Sequence, residues 1–233
     1  MIGVDAVIVV AMDEEAAPFV DTATCLGPVT QVGNAWQRIA MIGSVTVLLV
    51  RSGIGPVTAA AALASALAVV RPRAVISAGS AGGLGQEVRV GDVVVAGETL
   101  YSTADATAFG YVLGQVPGMP ARFVSDVSLV SAAAGGATPD IPVRRGLVIS
   151  SQMFVTEACV EDFRHRFPQA LATDMESAGL AQVAFVHGVP FVSVRGISDL
   201  CGPTAGVDHT VRVDDASVRS ATVVGAVLAH LAS

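Results

Sequence analysis

Three acidic segments carry the residue types that could do chemistry: Asp13-Glu14-Glu15, Asp174-Met175-Glu176, and the Asp199 that closes Arg195-Gly196-Ile197-Ser198-Asp199. Each follows an apolar stretch, so each would present a carboxylate at the end of a strand. Helix capping explains any one of them alone, because acids at a helix start favour the N-terminal dipole. Gathered in one site, they would supply general acid and base catalysis, one carboxyl group giving a proton while another accepts one.

The elements that must position these acids are legible as alternating runs. Apolar β-branched stretches alternate with Ala-rich ones, as expected for strands buried on both faces by helices, and this gives an α/β class. Strands are expected near 6–10, 45–50, 74–78, 93–96, 145–150 and 190–195. Helices are expected over 16–21, 56–70, 126–134, 160–167, 177–187 and 214–231, the last capped by Asp214-Asp215. Gly53, Gly55, Gly79, Gly82, Gly83 and Gly196 punctuate strand ends, where open α/β sheets bind ligands. No linker divides the 233 residues, so one domain over 1–233 is expected.

Composition removes several classes of function. All thirteen cationic residues are Arg, which excludes Schiff-base lysine chemistry and a Walker-type phosphate loop. The formal charge of −7 argues against a nucleic-acid partner, which needs a basic face. Cys25, Cys159 and Cys201 are widely spaced and form neither a disulfide framework nor a zinc pattern. Hydrophobic residues make up 52% of the chain, yet the longest apolar run, 59–70, is too short to span a bilayer and stops at Arg71-Pro72-Arg73. Asp5 interrupts the apolar N-terminus, which therefore does not read as a signal peptide. A soluble, cytoplasmic protein with no membrane partner is expected.

Seven segments, in order and spacing, carry a resemblance. They are Ala11-Met12-Asp13-Glu14-Glu15, Ser52-Gly53-Ile54-Gly55, 79–84 (GSAGGL), 90–94 (VGDVV), 105–111 (DATAFGY), Asp174-Met175-Glu176 and 194–199 (VRGISD). Together they resemble the 5′-methylthioadenosine/S-adenosylhomocysteine nucleosidases of the nucleoside phosphorylase superfamily, over nearly the whole chain. The resemblance implies a single-domain, three-layer α/β sandwich with a central mixed sheet flanked by helices. It also implies a homodimer whose active site is completed by the neighbouring subunit, and a purine nucleoside as the small-molecule substrate.

Position by position, the resemblance makes Glu15 the base that activates water and Asp199 the acid that protonates purine N7. Glu176 becomes the ligand of the ribose hydroxyls, and Met175 packs on the sugar. Phe154 stacks on adenine while the Val155 backbone reads its edge. Ser80 and Arg195 line the ribose region and steady the carboxylates. Met12 and Ile54 lie near the 5′ substituent, joined by Phe109 and Pro117 from the partner. Chemistry agrees with these roles: a purine anion leaves poorly, so the acid must stay protonated near neutral pH, whereas a free Asp titrates near ~3.9. Asp199 must therefore be partly desolvated or hydrogen-bonded in its proton-donating state, and Glu15 ionised, with no metal or organic cofactor required.

Two positions depart from the family pattern. His209, read as part of a loop after Asp199 that includes 202–206, stands where an aromatic residue usually covers the 5′ group, and Asp174 stands for the more usual Glu. Rival readings are a phosphorylase, a futalosine-type nucleoside hydrolase and a nonenzymatic nucleoside-binding module. Asp13-Glu14-Glu15 would repel a phosphate dianion and the 79–83 loop holds no Arg, which favours hydrolysis; Arg51 is the cation that keeps phosphorolysis open. A binding module would not need the full carboxylate set.

Overall fold

Strands buried on both faces dominate the centre of the computed structural model, which describes residues 2–233. The elements are β1 (Ala6–Val10), α1 (Asp13–Thr22), β2 (Ala35–Ile42), β3 (Val45–Arg51), α2 (Pro56–Leu67), β4 (Ala74–Gly83) and β5 (Val93–Tyr101). They continue as α3 (Val127–Ala134), β6 (Val143–Ser150), α4 (Val160–Arg166), β7 (Ala170–Asp174), α5 (Ser177–His187), β8 (Phe191–Asp199) and α6 (Ala205–Ala232).

The sheet is mixed. β3, β1 and β4 pair in parallel, as do β4 with β8, β5 with β6 and β6 with β7. β2 runs antiparallel to β3, β8 antiparallel to β5, and β7 antiparallel to the end of β4. The last pairings close β4, β8, β5, β6 and β7 into a ring, while β1, β3 and β2 extend it as an open wing.

Strand alternation explains the two helical layers. Ile8 and Val10 of β1 face a core shared with Phe19 of α1, Leu129 of α3 and Val223, Val227 and Leu228 of α6. Val7 and Val9 face the opposite core, with Leu63 of α2 and Leu180 and Ala181 of α5. A strand covered on both sides needs apolar residues at every position, and all five residues of β1 are buried. The expected three-layer α/β architecture is the one found.

Several elements differ from the sequence expectations. The strands β2 and β7 were not on the expected strand list, and β5 runs on to Tyr101. Gly83 ends β4 as expected, whereas Gly79, Gly82 and Gly196 lie inside β4 and β8. The reason at Gly196 is close packing: a Cβ there would collide with the backbone of Ala216, so its absence lets α6 lie directly on β8. Helix α6 starts at Ala205, nine residues before Asp214, so Asp214 and Asp215 are not its cap; both are exposed on its outer face, and Asp215 pairs with Arg219 one turn on at 2.7 Å. Its buried stripe begins at Ala205 and returns at Val213, Ala216, Ser217 and Ser220, which extends the helix through the predicted loop. His209 therefore belongs to this helix, not to a loop.

Candidate active site

Glu15 is the one member of the first acidic triplet that turns inward: it is 2% exposed, whereas Asp13 and Glu14 face solvent. It sits at the third position of α1 and folds back, so Oε2 accepts from the backbone N–H groups of Ala11 (2.7 Å) and Met12 (3.3 Å). Oε1 accepts from the backbone N–H and the hydroxyl of Ser80, both at 2.9 Å. One carboxylate thus caps the helix with one oxygen and joins α1 to β4 with the other. Gly79 leaves the space for it: a Cβ there, at φ +148°, would press on the whole carboxyl group, 2.8 Å from Oε2 and nearer still to Oε1.

Beneath the cavity lies Arg195 of β8, 1% exposed. Its Nε stands 2.8 Å from Asp174 Oδ2, and its Nη1, which has no hydrogen-bond partner among the described residues, stands 3.6 Å from Glu176 Oε2. Hydroxyls of Ser77, Ser177 and Ser193 fill the remaining positions around the guanidinium. Burial alone would weaken its hold on the proton, but Asp174, Glu176 and Glu15 outweigh that and raise its pKa above the usual value. A buried cation with this many acceptors stays charged and fixes the carboxylates beside it.

Glu176 lies where β7 gives way to α5, and its Oε1 accepts the Gly55 N–H at 2.9 Å. Burial pushes its carboxyl up to about 8; Arg195 opposes the shift, while Asp174 and Glu15 add to it. Asp199, at the end of β8, is 2% exposed, and its pKa is raised, chiefly by desolvation. Its Oδ1 accepts the Cys201 N–H at 2.9 Å, and Ser198 Oγ bonds Oδ2 at 3.0 Å.

The carboxyl groups of Glu15, Asp174, Glu176 and Asp199 line one cavity that opens to solvent. Met12, Glu15, Ile54, Ser80, Phe154, Val155, Met175, Glu176, Asp199 and His209 all line it. Arg195 does not; it supports the floor. Phe109 (84% exposed) and Pro117 do not line it either, and both lie exposed on the 107–120 segment. Met153, Thr173, Ser198 and Cys201 line the cavity although the sequence did not single them out for it. Ser198 and Thr173 are direct neighbours of the acids, a positional signal that was available, whereas Cys201 gave none. Burial pushes the Cys201 thiol up to about 12, so it is a neutral wall residue.

Neither Lys nor Arg lines the cavity. Arg51 is held by Asp13, 3.3 Å away, outside the lining. His209 faces the cavity from α6, with its ring 5.6 Å from that of Phe154 at 65°.

Comparison with known proteins shows the family. The family model of the phosphorylase superfamily matches residues 5–233. The 5′-methylthioadenosine/S-adenosylhomocysteine nucleosidase of Halalkalibacterium halodurans is 41% identical over 187 residues, 79% of this chain and 81% of that one. The crystal structure of the corresponding nucleosidase of Neisseria meningitidis, in complex with methylthio-immucillin-A, superposes with a TM-score of 0.92 at 34% identity, covering 96% of this chain and 97% of that one. The nucleosidase of Colwellia psychrerythraea, in complex with adenine, gives 0.92 at 33% identity, covering 98% and 96%. The chain belongs to the phosphorylase superfamily and, within it, to the 5′-methylthioadenosine/S-adenosylhomocysteine nucleosidases.

Proposed function

We propose that the chain, acting as one domain, hydrolyses the N-glycosidic bond of 5′-methylthioadenosine and S-adenosylhomocysteine, releasing adenine and the 5-substituted ribose. The observation that carries this reading is the contrast between two buried carboxyl groups in one cavity. Asp199 is desolvated, which raises its pKa and favours its protonated form, whereas Glu15 is met by four donors and is left as an acceptor.

In this reading Asp199 gives its proton to N7 as the C1′–N9 bond breaks, and the base leaves neutral. Positive charge develops on the ribose ring, and a water attacks C1′ while giving a proton to Glu15. The 3.3 Å bond from Met12 is the weakest of the four on Glu15, so Oε2 has capacity for that water. Glu176 holds the ribose hydroxyls. With its carboxyl pushed up to about 8, Glu176 is drawn toward its ionised form as ring charge grows, a stabilisation specific to the transition state. Phe154 and the Val155 backbone hold adenine, Met175 packs on the sugar, and Met12 and Ile54 border the 5′ group. Water is favoured over phosphate because the lining offers a dianion no Arg or Lys, and Glu15 would repel it.

The test is adenine release without phosphate from methylthioadenosine, S-adenosylhomocysteine, 5′-deoxyadenosine and futalosine. Turnover of the first two is expected. Turnover of futalosine with neither of the first two would replace this substrate assignment.

The raised pKa of Glu176 also fixes the sign of a pH effect on stability. Between about 4.5 and about 8 the folded chain keeps a proton that the unfolded chain gives up, so this stabilisation is complete below about 4.5 and is lost as pH rises through about 8. The Tm of the ligand-free protein should fall over that window, and Glu176→Gln should flatten the slope. An identical slope in the variant would show that Glu176 does not hold the proton.

We further place the protein in the cytoplasm as a homodimer, with the 108–120 segment at the interface and Phe109 and Pro117 reaching the partner's 5′ region. Family membership supports this, as does the exposure of Phe109 and Val112, which are 84% and 55% exposed. Light scattering should give twice the monomer mass, and Phe109→Asp should weaken association. A fully active monomer at working concentration would refute the arrangement.

A further inference from the structure

Each turnover of the proposed hydrolysis leaves Asp199 without its proton, and the carboxylate is 2% exposed. Of the protein groups bonded to the Asp199 side chain, the Cys201 N–H cannot relay a proton and the buried Cys201 thiol, pushed up to about 12, holds its own, whereas the Ser198 hydroxyl can both give and take one. Ser198 Oγ is fully buried and lies 3.0 Å from Asp199 Oδ2 and 3.2 Å from His209 Nδ1. His209 is half-buried on α6, so the Asp199–Ser198–His209 chain runs from the buried acid to the surface.

We propose that His209 is the relay residue that reprotonates Asp199 through Ser198. This rests on the reading of Asp199 as the acid. The imidazolium gives its Nδ1 proton to Ser198 Oγ as the Ser198 hydroxyl gives its own to Asp199 Oδ2. The products are a neutral imidazole protonated on Nε2, an intact hydroxyl and a neutral carboxylic acid; the ring then turns its free Nδ1 to solvent, takes a proton there from water and turns back as the imidazolium. Imidazole suits the task because each of its two ring nitrogens can hold a proton. The titratable groups around it are Asp208 and Arg212 on its own helix, Asp199 and Cys201 after β8, and Glu15, Asp174 and Glu176 across the cavity. Asp208 is engaged by Thr204 Oγ1 at 2.7 Å, and so does not compete for the ring. The Phe154 ring, edge-on to that of His209, holds the imidazole in place.

The experiment compares wild type with His209→Phe, which keeps an aromatic ring against Phe154, and with His209→Ala. Loss of the relay should lower kcat on methylthioadenosine on the order of tenfold or more, with KM within about twofold. On a riboside with 4-nitrophenolate as leaving group, which departs without protonation, both variants should lose much less rate than they lose on methylthioadenosine. Added imidazole should restore His209→Ala in proportion to its protonated fraction, a response that a purely structural role would not give. Unchanged kcat in His209→Phe, or equal losses on both substrates without imidazole rescue, would overturn the relay while leaving the hydrolysis standing. A wild-type chain that releases no adenine would overturn the reaction, and the relay with it.

Discussion

Asp199→Asn is expected to lower kcat on methylthioadenosine by about 10²–10⁴, the usual cost of removing a general acid. The amide has the shape of the carboxyl group and can still accept the Cys201 N–H, so the variant should fold and bind. It cannot donate a carboxylic proton to N7, and a purine anion leaves poorly. The defect should therefore depend on the leaving group. A riboside of 4-nitrophenolate needs no protonation and should recover most of the rate. Near-normal turnover of methylthioadenosine by Asp199→Asn would mean that another residue is the acid.

The second large effect concerns Glu15 and can be reached by two independent routes. Glu15→Gln removes the acceptor for the water proton, and a loss of about 10²–10⁴ in kcat is expected on every substrate, easy leaving groups included. Gly79→Ala attacks the same group by geometry. Its new Cβ would occupy the space of the Glu15 carboxyl group, and alanine at φ +148° is strained as well. The displaced carboxylate would lose its bonds to Ser80, so Gly79→Ala should show the leaving-group-independent defect of Glu15→Gln, with a stability loss of about 1–3 kcal/mol. Thermal melts and kinetics on both substrates check it. A fully active Gly79→Ala would mean that the placement of Glu15 is not required for the reaction.

The sequence revealed the parts of this site that lie where elements join. Glu15, Glu176 and Asp199 each stand at a strand or helix junction, and the apolar runs of β1, β3 and β4 are unambiguous because both of their faces are covered. β2 was missed for the opposite reason: Trp36, Gln37 and Arg38 interrupt its apolar pattern, since the wing it belongs to is only partly covered. β7 is five residues long and ends in Thr173 and Asp174, so it resembles the approach to a helix. The early start of α6 was hidden by Gly202, Pro203 and Gly206, which look like a loop, and by Asp214 and Asp215, which look like a cap. The spacing of Ala205, His209, Val213, Ala216, Ser217 and Ser220 was the signal to the contrary, and it puts His209 on the inward stripe. The support under the carboxylates was less legible. Arg195 was assigned to the ribose region, but its interaction with Asp174 and with three serines from β4, β8 and α5 depends on pairings between strands that are distant in sequence.

The central claim is that water, not phosphate, is the nucleophile. It is tested most directly by incubating the protein with methylthioadenosine in buffers with and without phosphate and identifying the sugar product. The account predicts equal rates of adenine release in both buffers and a free reducing sugar, 5-methylthioribose, as the partner product. Strict dependence on phosphate, with a ribose 1-phosphate ester as the product, would contradict it.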